Sequence, residues 1–117
     1  MKDFLLIFRG GDTHRNIQQQ SPELWQQHMM KWKTWMDFLA AQGKLSGGQP
    51  LEADGKVITG AAKKVTDGPF VEGKEVVGGY LLIKGNDLND ATETSKGCPI
   101  FEHDGIVEVR EVQQLNM

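Results

Sequence analysis

Two runs of the chain are apolar at every position, while most of the remainder alternates or is polar. Phe4-Leu5-Leu6-Ile7-Phe8 is the first, and the stretch from Val76 to Ile83 is the second. Successive side chains of a strand point to opposite faces, so a run without polar positions predicts a strand covered on both sides. The paired glycines 78 and 79 inside the second run predict a bulge or a close backbone neighbour. Ile106–Val112 alternates instead, with Val107 and Val109 against Glu108 and Arg110, the pattern of a strand with one wet face.

Between Phe8 and the next hydrophobic spacing lies a polar, glycine-containing loop, Arg9–Gln20. Ser21-Pro22-Glu23 then opens a helix. Ser21 suits the N-cap, Pro22 the first helical position, and Glu23 the positive end of the helix dipole. The helix should run to about Gln42 and stop at Gly43, which tolerates the left-handed conformation that ends helices. At 100° per residue, Leu24, His28, Trp32, Trp35 and Leu39 fall within about 80° of one another, with Trp25 just beyond. That stripe faces the sheet.

Lys44–Leu51 and Lys56–Thr59 read as strands joined by a turn at Ala53-Asp54-Gly55. Ala61–Thr66 reads as a further strand, ended by Asp67-Gly68-Pro69. A short second helix should span Asp87 to about Lys96, with Asn86 or Asp87 as cap and Gly97 as stop. The order is β-α-β-β-α-β with a hairpin, the ferredoxin-like α+β pattern, in which an antiparallel sheet carries its helices on one face. The two apolar runs take the central strands of that topology. Helices cover only one face of such a sheet, so the other must meet something, and a second copy packed sheet face to sheet face is the simplest cover.

Composition limits the class. The chain has 117 residues, enough for a single domain over residues 1–117. With 13 Lys+Arg against 16 Asp+Glu the formal charge is −3, which offers no net attraction to nucleic acid or anionic lipid. The five-residue apolar run near the start is closed by Arg9 with no small-residue cleavage site after it, and no run approaches a membrane span, so a cytoplasmic protein is expected. One cysteine, Cys98, permits neither an internal disulfide nor a multi-cysteine zinc site. G-x-G-x-x-G, Walker and nucleophile-elbow patterns are absent. No cofactor is expected.

His28 is the leading chemical candidate, because it sits in the middle of the apolar stripe. Three readings stand: a core histidine satisfied by a carbonyl, a general acid/base in a pocket between helix and sheet, or a metal ligand. Its carboxylate partner should be Asp67 or Glu72, since Asp37 falls on the opposite side of the same helix. Arg9 or Lys74 would hold an anionic group of a small-molecule ligand, and Phe70, forced to bury itself after a rigid turn, would wall the pocket. His14, on the polar loop, reaches the pocket only if the loop folds over it. His103, between Glu102 and Asp104, opens the last strand. Three scattered histidines argue against a dedicated metal site. Lys31 borders the stripe as a snorkelling side chain or an anion anchor. Cys98 precedes Pro99 and has no adjacent base, so it does not read as a nucleophile.

The most specific text is Val65 to Tyr80, with Thr66-Asp67-Gly68-Pro69-Phe70, Lys74-Glu75 and Gly78-Gly79-Tyr80. With Leu5-Leu6-Ile7, Ser21-Pro22-Glu23, Gly43-Lys44-Leu45, Gly47–Leu51, Gly97-Cys98-Pro99 and Val107-Glu108-Val109-Arg110, it makes the chain resemble the YCII-related proteins over nearly its whole length. The closest likeness is to the branch named for its Asp-Gly-Pro-Phe motif. The resemblance implies a dimeric α+β barrel. It also implies acid/base chemistry of an isomerase or lyase kind on a small metabolite, or else a non-catalytic ligand-binding or regulatory module linked to sigma-factor signalling. In such enzymes a histidine–aspartate pair lies in the pocket, the histidine just after a proline at the first helix. Here Pro22 stands at that place and His28 follows six residues later.

Overall fold

The computed structural model describes residues 1–10, 21–52, 54–68 and 76–115. The elements are β1 (Lys2–Arg9), α1 (Pro22–Ala41), β2 (Leu45–Pro50), β3 (Gly55–Thr59), β4 (Lys64–Gly68), β5 (Val77–Gly85), α2 (Leu88–Ser95), a 3₁₀ turn (Pro99–His103) and β6 (Ile106–Glu111). The start of α1 follows from its sequence. Ser21 is extended at φ −151°, its hydroxyl accepts the Leu24 N–H, and Pro22 takes the first turn, where its missing N–H costs nothing. At the other end Gly43 is left-handed at φ 71°, and its N–H donates to the Ala40 carbonyl. Asp87 caps α2 by accepting the Asp90 N–H at 2.7 Å.

β1 and β5 are the central strands, as their apolar runs predict. The four-stranded sheet has the order β2-β5-β1-β6 with every pair antiparallel, and both helices lie on one face: a ferredoxin-like α+β fold. The core-facing layer is Phe4, Leu6 and Phe8 of β1 with Leu81 and Ile83 of β5, under Trp35 and Leu39 of α1, Ala91 of α2, and Cys98 and Ile100 beyond it. The pairing shifts between Phe8 and Arg9 opposite Gly79 and Val77, the bulge expected at the double glycine.

The other sheet face carries Leu5 and Ile7, directly opposite Leu82 and Tyr80. Among the described residues no helix covers these side chains, which are half-buried except for Tyr80 at 37% exposed. Ion pairs close the ends of this apolar strip: Lys84 to Asp3 and Arg9 to Glu108, each at 2.5 Å.

Two expectations are corrected. β2 does not form a hairpin with β3 across Asp54. It pairs with β5, while β3 and β4 form a separate two-stranded sheet turning at Gly60–Lys63. The reason is steric and local. Gly48 runs so close to β5 that a Cβ there would collide with the Leu81 side chain and the Tyr80 carbonyl, an approach only glycine permits. At the turn, Gly60 at φ 74° and Lys63 at φ 56° take the left-handed angles, and the Lys63 N–H donates to the Gly60 carbonyl. Ala61 to Lys63, read as strand, is that turn. The second correction is Leu24, which is 58% exposed although it lies on the correct side of α1. Among the described residues of this 20-residue helix, the buried positions begin at His28.

Candidate functional site

The site grows from one turn of α1 and one turn of the chain after α2. His28 and Trp32 are four residues apart and therefore neighbours on the same helix face. The Trp32 indole N–H donates to His28 Nε2 at 2.9 Å, and His28 is 3% exposed. That donor makes Nε2 an acceptor, so the neutral ring carries its proton on Nδ1. Trp32 itself is wedged edge-on against Phe8 at 5.2 Å and Trp35 at 5.9 Å between ring centroids, which ties His28 to the core. Trp25 stacks obliquely at 6.2 Å on the opposite flank.

The 3₁₀ turn supplies the rest. Pro99 starts it, left-handed Asp104 at φ 58° ends it, and the Gly105 N–H closes it onto the Ile100 carbonyl at 3.0 Å. Ile100, 3% exposed, anchors this turn in the core, so Glu102 and His103 are presented against α1. The His103 ring meets His28 edge-on, with centroids 4.4 Å apart and planes at 75°. Nitrogens of both histidines and an oxygen of Glu102 lie within 4.8 Å of one another. Lys31, one turn along from His28, donates to both Glu102 oxygens at 3.0 Å. Those bonds hold the Glu102 carboxyl below its ordinary range against a smaller opposing effect of desolvation, with further help from the charge of Lys31. Lys31 thus pairs at the surface with the Glu102 carboxylate of its own chain.

Two imidazoles and a carboxylate are a donor set that zinc and other transition metals accept. Three histidines scattered in sequence suggested no such set, yet two of them meet here. In this arrangement the lone pair of His28 Nε2 takes the indole proton and Lys31 holds both carboxylate oxygens. The cluster carries the exposed ammonium group of Lys31 on its outer side. A metal entering through those atoms would have to displace it.

On its outer side the Lys31–Glu102 pair borders a groove of about 730 Å³, walled by Met30, Thr34, Phe38, Lys96 and Phe101. Of the other expected site residues, Arg9 projects on the open side of the sheet, away from α1, and is paired with Glu108. Asp67 lies on β4, exposed, and pairs with Lys56. His14, Phe70, Glu72 and Lys74 lie outside the described residues. Among the described residues, the carboxylate set beside His28 is Glu102. The signal for Glu102 and His103 was present as the bracket Cys98-Pro99 and Asp104-Gly105, which enforces a short rigid turn. Cys98 is buried under this turn, and burial pushes its thiol up to about 12, so it stays protonated and unreactive at neutral pH.

The profile of the YCII-related domain family matches residues 13–116. No protein of curated function matches the sequence. Among solved structures the fold is similar to 5-chloro-2-hydroxyhydroquinone dehydrochlorinase of Burkholderia phenoliruptrix AC1100, solved with 2,5-dihydroxybenzoquinone. That similarity has 15% identity and a TM-score of 0.48, over 91% of this chain and 90% of the other. No helix among the described residues is long and apolar enough to cross a membrane.

Proposed function

The chain belongs to the YCII-related domain family, and from that premise we propose that it is a homodimeric enzyme transferring a proton on a small, anionic metabolite at the His28–His103–Glu102 cluster. We place it in the Asp-Gly-Pro-Phe branch on residues 67–70. The observation that carries the reading is two imidazoles edge to edge with a carboxylate in reach, one imidazole locked in the core and the other half-buried at the surface. Such a pairing of a fixed and an accessible ring suits acid/base work, in which one group must meet the substrate and its neighbours must not move.

In this reading His103 exchanges the proton with the substrate. Glu102, kept ionised by Lys31, stabilises the imidazolium that forms. His28, held by Trp32, sets the orientation of the His103 ring. Glu102 takes the part expected of Asp67 or Glu72. The open strip of Leu5, Ile7, Tyr80 and Leu82 supports pairing of two copies sheet to sheet, since an uncovered apolar centre on a small domain gains from a partner.

Deuterium wash-in tests the reaction without knowledge of the product. The protein is incubated in D₂O with a panel of small carboxylated and phenolic metabolites, and exchange at carbon is followed by NMR. At least one compound should exchange, and His103→Gln should abolish exchange while leaving binding of that compound within a few-fold. Binding without exchange in the unaltered protein marks a ligand-binding module instead. Exchange unchanged in His103→Gln removes His103 from the chemistry.

A further inference from the structure

Among the described residues, the β3–β4 hairpin stands apart from the other elements. Its two strands hydrogen-bond only to each other, and among the described residues no other element packs extensively on them. Isolated two-stranded hairpins are marginal in water and need an apolar neighbour to persist. This one carries the residues for such a contact. Ile58 and Val65 are directly opposite one another, so they share a face, and they are 66% and 58% exposed.

We propose that this hairpin is a clasp that closes over a second copy of the same chain, its Ile58–Val65 face lying against the partner. The inference rests on the sheet-to-sheet dimer proposed above, and area argues for this occupant. Four strands about 4.8 Å apart with a shared length of about 20 Å present a footprint of about 400 Å². A stable protein pair buries about 800 Å² on each partner. The sheet strip alone falls short. Each arm adds about 150 Å², and in a two-fold pair each copy gives one arm and receives one, which brings the total close to the requirement. Two of the apolar surfaces left open among the described residues, sheet strip and arm, are then covered by one partner in one symmetric arrangement. The arm leaves the body where Pro50 of β2 pairs with Gly79 of β5, at one end of the sheet, so it can reach past that end without disturbing the strip.

The test compares the unaltered protein with Ile58→Glu/Val65→Glu and, as a separate variant, Tyr80→Glu on the sheet strip. Sedimentation velocity over a concentration series reads the dimer dissociation constant, and circular dichroism confirms that each variant is folded. All three side chains are exposed within the single chain. The arm variant should dissociate at least about tenfold more readily, since apolar surface from both arms would be left in water. Lysine cross-linking of a mixed ¹⁴N/¹⁵N population should join Lys56, Lys63 or Lys64 of one copy to a lysine of the other. An arm variant that dimerises as tightly as the parent, while Tyr80→Glu is weakened, overturns the clasp and leaves the dimer standing. A parent protein that is monomeric at every concentration overturns both.

Discussion

Replacing Trp32 with phenylalanine removes one N–H and keeps an aromatic ring between Phe8 and Trp35. The change therefore removes the hydrogen bond to His28 Nε2, 2.9 Å long, whose acceptor residue is buried. A buried acceptor that loses its partner costs about 1–3 kcal/mol, because the group was desolvated on folding and recovers nothing. For a domain of this size each kcal/mol lowers the melting temperature by about 4 °C, so a fall of about 4–12 °C is expected. Thermal unfolding at pH 8 measures the fall and urea titration the free energy, both at a fixed protein concentration because any association couples to stability. Part of the loss will come from the smaller ring, and a double-mutant cycle separates the two. In a His28→Leu background the same Trp32→Phe change should cost at least about 1 kcal/mol less, which is the coupling energy of the pair. If Trp32→Phe costs equally in both backgrounds, the hydrogen bond contributes nothing. His28 is then a packed core residue, and its role in positioning His103 falls with it.

Two further predictions concern titration. Lys31→Ala should let the Glu102 carboxyl rise toward its ordinary value, read by carboxyl-carbon NMR. The sign follows from the depressed value: the pair stabilises the fold above the ordinary carboxylate range and loses that effect as pH falls through the lowered value, so Lys31→Ala should flatten the acid limb of the stability curve. Cys98 should resist a thiol reagent at pH 8 in the native state and react at once in urea. Its proton is kept to about pH 12 in the fold but released near the ordinary 9.0 in the unfolded chain, so stability should fall above pH 9 by up to about 1.4 kcal/mol per pH unit.

Much of the fold was legible because its signals are local. The Ser21-Pro22 start and Gly43 stop of α1, the Asp87 cap of α2 and the double-glycine bulge of β5 each depend on residues within a turn of where they act. The partner of β2 was legible from the ferredoxin-like order and not from local hairpin chemistry. Hairpin chemistry at Asp54-Gly55 was as good as that at Gly60–Lys63, and the choice was made by Gly48, whose missing Cβ lets a distant strand come close. The site was half legible. His28 followed from helical period, whereas Glu102 and His103 stand more than 70 residues away in sequence and join it only because Ile100 pins their turn in the core.

By itself the sequence determined the elements, the central place of the two apolar strands and the inward direction of His28, since each is set by backbone preference and the side-chain period of a single segment. Tertiary structure alone decided which carboxylate and which second histidine meet His28, that Arg9 faces away from it, and that β3 and β4 project as an arm. Those outcomes depend on how separate segments pack. Packing joins residues by shape and burial across the chain, and neither is written in the spacing of any one stretch.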